Sequence, residues 1–226
     1  QDETMLAAFA NNHDIHRATA AEIMGIDYEK VSDAQRRSAK AVNFGLLYGM
    51  SAFGLAKQLG IERKSAQEYI DNYFARYPKV KQYLQGVREA ANKNGYVETI
   101  FDRKLPISNI NSKNAMLRKA AERAAINAPL QGSAADIIKR AMLTIDKKLQ
   151  SSKLDAKMIM QVHDELVFDV ANNDVDELCK IVKTAMEKAA KISVSLDVSI
   201  SSGTNWDEAH YSNVIKVLLA SQCLLS

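Results

Sequence analysis

Arg36, Lys40, Phe44 and Tyr48 fall four residues apart in Arg36-Arg37-Ser38-Ala39-Lys40-Ala41-Val42-Asn43-Phe44-Gly45-Leu46-Leu47-Tyr48-Gly49, a spacing that has structural meaning on a helix. Each helical residue advances about 100°, so positions four apart drift only about 40° per step. Two cations and then two aromatic rings therefore lie along one stripe. Ser32 or Asp33 caps this helix and Gly49 stops it. Cations suit a polyphosphate, and ring faces suit a sugar or a base. Taken alone, the stripe has an ordinary explanation as well. Arg and Lys are common on solvated helix faces, and Phe and Tyr at helical spacing are usually core.

The rest of the chain divides by its periodicity. A short helix is expected over 4–10. Asp14-Ile15-His16-Arg17-Ala18-Thr19-Ala20 opens a second, with Asn12 or Asp14 as its cap and Gly25 at its end. Beyond Gly49, helices are expected over 51–59, 64–77 and 80–94, bounded by Gly60, Pro78 and Gly95. The pattern changes near Tyr96. Residues 96–110 carry β-formers and Pro106, which reads as a short ribbon or loop. A strong helix over 113–128 is expected to break at Ala128-Pro129, because proline lacks the N–H donor and restricts its predecessor. Gly132 reinforces the break, and helix resumes from Ser133 or Asp136 to Leu149. A hairpin over 157–170, a helix over 175–191 and an alternating strand over 194–201 complete the pattern. The fold class is α+β: a helical part over 1–110, then an α+β part over 111–210. No function is assigned to the tail over 211–226.

Composition sets bounds without choosing a function. Hydrophobic residues make up 47% of the 226 and charged residues 25%, an ordinary globular balance. A net charge of +3 is compatible with nucleic acid without arguing for it, so any basic footprint must be local. Cys179 and Cys223 have neither metal-ligand spacing nor framework partners, which fits a reduced, cytoplasmic setting. The polar start Gln1-Asp2-Glu3 is unlike a leader and lacks an initiator Met, so the chain is expected to begin inside a longer polypeptide. The apolar run over 214–220 is broken by Lys216 and is too short for a bilayer, so no membrane role is expected.

Gln161-Val162-His163-Asp164-Glu165 is the second informative string. Adjacent acids between apolar β-formers are costly if buried without a counter-charge. Held at a sheet surface, Asp164 offers an oxygen site for Mg²⁺, the usual companion of phosphates. A plain exposed turn explains the same residues, since Asp is common there.

Together these strings resemble family A DNA polymerases. The Arg-x3-Lys-x3-Phe-x3-Tyr-Gly pattern is similar to that family's fingers helix, and His163-Asp164-Glu165 to its catalytic motif, in the family's order and separation. Asp14-Ile15-His16-Arg17-Ala18-Thr19 resembles its Asp-Ile-His-x-x-Thr. Ala121-Glu122-Arg123-Ala124-Ala125-Ile126-Asn127-Ala128-Pro129-Leu130-Gln131-Gly132 resembles its DNA-contacting helix. The likeness extends over 1–210. It implies the C-terminal fragment of a right-hand polymerase fold: helical fingers over 1–110, then the C-terminal part of the palm with a small antiparallel sheet over 111–210.

The activity implied is DNA-directed DNA synthesis in replication and repair, joining a dNTP to a primer 3′-hydroxyl by a two-metal mechanism. On this resemblance His16, Arg36, Lys40, Phe44 and Tyr48 bind the dNTP. His16 and Arg36 hold the outer phosphates, Lys40 neutralises the inner one and serves as a general acid, and Phe44 lies near the sugar. Tyr48, Gly49, Arg118, Arg123, Asn127, Gln131 and His163 contact primer-template DNA. Asp164, with Glu165 as a secondary ligand, binds Mg²⁺ (two ions), and another carboxylate is expected from upstream of Gln1. The isolated chain is accordingly expected not to polymerise, and its parent to be a monomer.

One departure stands out. Thr99-Ile100-Phe101-Asp102-Arg103-Lys104 has Asp102 where the family usually has Gly, which matters if the position needs a positive φ. Two rivals remain. A single-subunit RNA polymerase shares the general layout, although Glu165 and the Arg123–Gln131 string favour DNA. A catalytically inactive nucleic-acid-binding remnant is separated by the coding sequence just upstream of Gln1.

Overall fold

Asp14 accepts hydrogen bonds at 3.0 Å from the backbone N–H groups of His16 and Arg17. It thereby caps α1 (Ile15–Met24), which ends where Gly25 takes a φ of 63°. The computed structural model describes residues 2, 3, 6, 7, 14–205, 208 and 209. The expected helix over 4–10 falls largely outside the described residues, as do Asn12, Cys223 and the tail over 211–226. The chain forms two compact units, one within Gln1–Pro129 and one within Leu130–Leu225.

In the first unit α2 (Asp33–Leu47) opens with a capping box. Ser32 Oγ accepts from the Gln35 N–H at 3.3 Å, and Gln35 Oε1 accepts from the Ser32 N–H at 2.8 Å. Its other end is a Schellman motif. Gly49, at φ 76°, donates to the Leu46 carbonyl at 3.0 Å, and Met50 donates to the Gly45 carbonyl at 2.7 Å. Ala20, Val31 and Ala39 are buried between α1 and α2, with Ala21 and Ile26 beside them. Small residues at that contact let the two helices approach closely, which positions their polar faces.

Helices α3 (Ala52–Leu59), α4 (Arg63–Arg76) and α5 (Pro78–Asn94) follow as expected, with Ser51 capping α3 and Pro78 opening α5. The ribbon is a hairpin in which β1 (Tyr96–Glu98) pairs antiparallel with β2 (Lys104–Pro106). At its tip Asp102 has φ 60°. The buried Thr99 fixes that tip, its hydroxyl accepting from the N–H groups of Phe101 and Arg103 at 3.3 Å. The position therefore does adopt the conformation that glycine suits best. Ala91, Val97, Ile107, Ile110, Ala121 and Ala125 form the core beneath the hairpin.

The break expected at Ala128-Pro129 does not occur. Helix α6 (Ala115–Ser151) runs 37 residues through both Pro129 and Gly132. An interior proline removes one backbone hydrogen bond and costs about 3 kcal/mol. Buried side chains on either side, Ala121, Ala125 and Ile126 before it and Ile137, Ala141 and Ile145 after it, outweigh that loss.

In the second unit β3 (Ala156–Val162) and β4 (Glu165–Val170) form the expected hairpin. A bulge between Met158 and Met160 leaves Ile159 without a cross-strand partner. Helix α7 (Val175–Glu187) buries Leu178, Val182, Ala185 and Met186, one face at helical spacing, and stops short of the expected 191. The strand expected over 194–201 is absent as such. Its alternation is real, with Leu196 and Val198 buried and Asp197 and Ser199 exposed. A strand also needs a ladder of backbone hydrogen bonds, and among the described residues only Ser201 makes even an isolated bridge.

Candidate functional site

The stripe read from the sequence is a physical surface. Lys40 Nζ lies 5.6 Å from the centre of the Phe44 ring, and Phe44 lies 6.1 Å from Tyr48 with planes only 23° apart. The His16 ring, brought in by α1, sits 5.8 Å from Phe44. Arg36 heads the row, its guanidinium Nε donating to Asp14 Oδ2. So the clasp of α1 on α2 gathers all five expected nucleotide-binding residues on one face.

Its electrostatics follow from burial and neighbours. Burial pushes the His16 pKa below the ordinary histidine value; Asp14 pulls it up, and Arg36 and Lys40 push it further down. His16 is therefore a neutral imidazole at neutral pH. Burial alone would raise the Asp14 carboxyl. The Arg36 hydrogen bond, the Arg17 backbone N–H and the Arg36 charge together hold it below the usual carboxylate range. Burial raises the Tyr48 hydroxyl, keeping it protonated.

Two participants were not singled out from the sequence. Asp14 is more than the cap the sequence predicts, because it also holds Arg36; its place in the Asp-Ile-His string is the available signal. Asn43 is only 2% exposed and contacts His16 Nδ1 through its amide nitrogen at 3.0 Å. An amide on the same helix face as the buried Val42 and Leu46 could have flagged it.

Gly49 joins this face to the first part of α6. A Cβ there would lie 3.3 Å from Ile126 Cδ1, 3.7 Å from Arg123 Cγ and 3.8 Å from Arg88 Nη2. The positive φ favours glycine here, and a Cβ would also ask Ile126 to give by a few tenths of an ångström. Tyr48, Gly49 and Arg123 are neighbours in consequence, and Arg88 joins them without having been expected. Arg118 is partly committed elsewhere, donating to the Ser112 carbonyl at 2.9 Å. The Asn127 side-chain oxygen is buried without a hydrogen-bond partner among the described residues. Gln131 is exposed.

In the second unit His163 and Asp164 make the two-residue turn between β3 and β4. His163 is exposed with φ 52°, and its carbonyl accepts from Gln161 Nε2 at 2.6 Å. Asp164 and Glu165 are both half-buried. Glu165 pairs with Val162 and helps line an open groove of about 810 Å³ beside β4. Two adjacent carboxylates are a chemically suitable but partial donor set for a hard cation. Among the described residues no group of three or more His, Cys, Asp or Glu is placed to hold a metal. No described helix is long and apolar enough to cross a membrane.

A sequence profile for DNA polymerase family A matches residues 1–208. DNA polymerase I of Pseudomonas aeruginosa is 57% identical over 210 residues, covering 93% of this chain and 23% of that protein. DNA polymerase I of Caldicellulosiruptor bescii is 49% identical over 208 residues, covering 92% and 24%. The solved POL domain of Pol1 from M. smegmatis, in complex with DNA primer-template and dNTP, superposes with a TM-score of 0.87 at 40% identity. That likeness covers 93% of this chain and 37% of the other. The chain thus spans about a quarter of the length of the curated relatives it matches.

Proposed function

This chain belongs to DNA polymerase family A, with the mixed α and small-sheet architecture of a right-hand polymerase fragment, and from that premise we propose that it supplies the dNTP-binding and part of the catalytic machinery for template-directed DNA synthesis. Residues 1–110 would be the fingers and 111–210 the C-terminal part of the palm. The proposed partners are dNTPs and primer-template DNA. The proposed setting is the cytoplasm, within a longer monomeric polypeptide.

The observation that carries this is the continuous face made by His16, Arg36, Lys40, Phe44 and Tyr48. Arg36 and His16 would donate to the outer phosphates of a dNTP, with Asp14 keeping the guanidinium aimed. Lys40 would neutralise the phosphate nearest the bond being broken and give a proton to the departing pyrophosphate. Phe44 would support the sugar, and Tyr48 would stack at the templating position above the Gly49 turn. Arg123, Asn127 and Gln131 would contact the duplex, Arg118 its backbone, and His163 the primer terminus. Minor-groove contacts of Asn and Gln suit an enzyme that tests pair shape without reading sequence.

Asp164, with Glu165 beside it, would hold Mg²⁺. When bound, the metal lowers the pKa of the attacking hydroxyl and neutralises the phosphates. Lys40→Ala in the full-length protein tests the assignment. Nucleotide addition should slow by about 10²–10³-fold, the scale of one lost transition-state donor, with primer-template affinity unchanged. Equal losses in both would remove Lys40 from the phosphate.

A further inference from the structure

We propose that Asn43 is a positioning residue for the triphosphate site, its buried amide holding His16 in the tautomer that carries the proton on Nε2. The proposal rests on the assignment of His16 to the triphosphate and extends it by one residue.

Asn43 sits in the middle of α2, only 2% exposed, where an amide is a poor choice for packing alone. Its Nδ2 lies 3.0 Å from Nδ1 of His16 and 3.0 Å from Oγ1 of Thr19. The Thr19 hydroxyl in turn donates to Asn43 Oδ1 at 3.1 Å. Thr19 is itself buried. A polar chain therefore runs from Thr19 of α1 through Asn43 of α2 and ends on the histidine ring.

With the Asn43 amide nitrogen on the ring side, the chemistry of that end follows. An amide nitrogen carries hydrogens and no available lone pair, so the ring nitrogen facing it must be the acceptor. In a neutral imidazole, Nδ1 as acceptor leaves the proton on Nε2. An Nε2–H group can donate to a phosphate oxygen, whereas a bare Nε2 would set lone pair against lone pair. The charged groups facing the ring are Asp14 from the start of α1 and Arg36 and Lys40 from α2. With burial they favour the neutral form, so tautomer choice decides whether His16 works as a donor. A second, bland role for Asn43, satisfying Thr19 alone, would leave His16 untouched.

The test is a double-mutant cycle in the full-length protein, reading KM for dNTP, kcat and primer-template affinity. His16→Ala and Asn43→Ala should each raise KM about tenfold with DNA affinity unchanged, and the double variant should be no worse than either. Losses that multiply to about a hundredfold would overturn the proposal. So would an unchanged KM in Asn43→Ala beside a raised one in His16→Ala. An unchanged KM in His16→Ala would instead remove the triphosphate assignment itself, and this proposal with it.

Asn43→Asp keeps the side-chain shape and serves where the alanine variant does not fold. The introduced carboxylate accepts from Nδ1, raising the ring's pKa. At low pH the doubly protonated ring still donates from Nε2 and KM stays low. As pH rises, the remaining proton stays on Nδ1 and KM climbs. The unmodified protein should be flat from about pH 6.5 to about pH 9, and a flat profile in Asn43→Asp would overturn the proposal.

Discussion

Asp102 and His163 hold the left-handed conformation without being glycine, at φ 60° and 52°. That conformation costs an L-residue about 1–2 kcal/mol. For Asp102 the strain is imposed by Thr99, whose buried hydroxyl gathers two backbone N–H groups around the hairpin tip. The Asp102 side chain is exposed and its backbone N–H donates to the Thr99 carbonyl at 3.0 Å, a bond that glycine would keep. Asp102→Gly should therefore stabilise the protein by about 0.5–1 kcal/mol, the strain relieved less the extra entropy of an unfolded glycine. Urea unfolding at neutral pH measures it, and a lower midpoint would mean the carboxylate makes a contribution that outweighs the strain. The departure at Asp102 was visible in the sequence, because a turn position without its usual glycine can be read locally. Asn43 is less legible: it shares a helix face with Val42 and Leu46, but its partners are not local. An amide within a helix looks like surface polarity until the chain folds Thr19 and His16, more than twenty residues away, against it.

At the scale of elements, what the sequence revealed was what each segment decides for itself. Ser32 with Gln35 and the glycines at 25, 49, 60 and 95 are local signals, and their helices begin and end as those signals direct. Two of the departures share a cause. Pro129 obeys a local rule that buried neighbours on both sides of it override, and the segment over 194–201 alternates correctly but finds no ladder among the described residues. The first misreading can be tested. Because α6 is continuous, Pro129→Ala restores an N–H that can reach the Ala125 carbonyl. Interior proline is worse than alanine by about 3 kcal/mol, and Pro129 is buried, so lost packing takes back part of the gain. A net stabilisation of about 1–2 kcal/mol follows, read from the denaturant midpoint at unchanged slope. A helix broken at this point would give no gain.

For the molecule as a whole, bulk properties say least and the distribution of chemistry says most. A net charge of +3 over 226 residues gives no global pull toward a polyanion. On the proposed function the cations that matter are those on the face of α1 and α2 and around Gly49, so nucleotide binding should survive in this chain even where turnover does not. Turnover by two metals needs bridging carboxylates that hold the ions roughly 3.5–4 Å apart. The described residues offer Asp164 and Glu165 and no third His, Cys, Asp or Glu grouped with them. The 226-residue chain by itself should therefore bind a fluorescent dNTP, lose that binding in Lys40→Ala, and yet extend no primer with Mg²⁺ present. Primer extension resolved on a sequencing gel, run beside the binding titration, separates the outcomes. Extension by the unmodified chain would show that this single carboxylate pair suffices for the metals. Loss of nucleotide binding with folding intact by circular dichroism would show that the α1–α2 face is not enough to hold a triphosphate. Binding without extension is the result that the partial donor set requires.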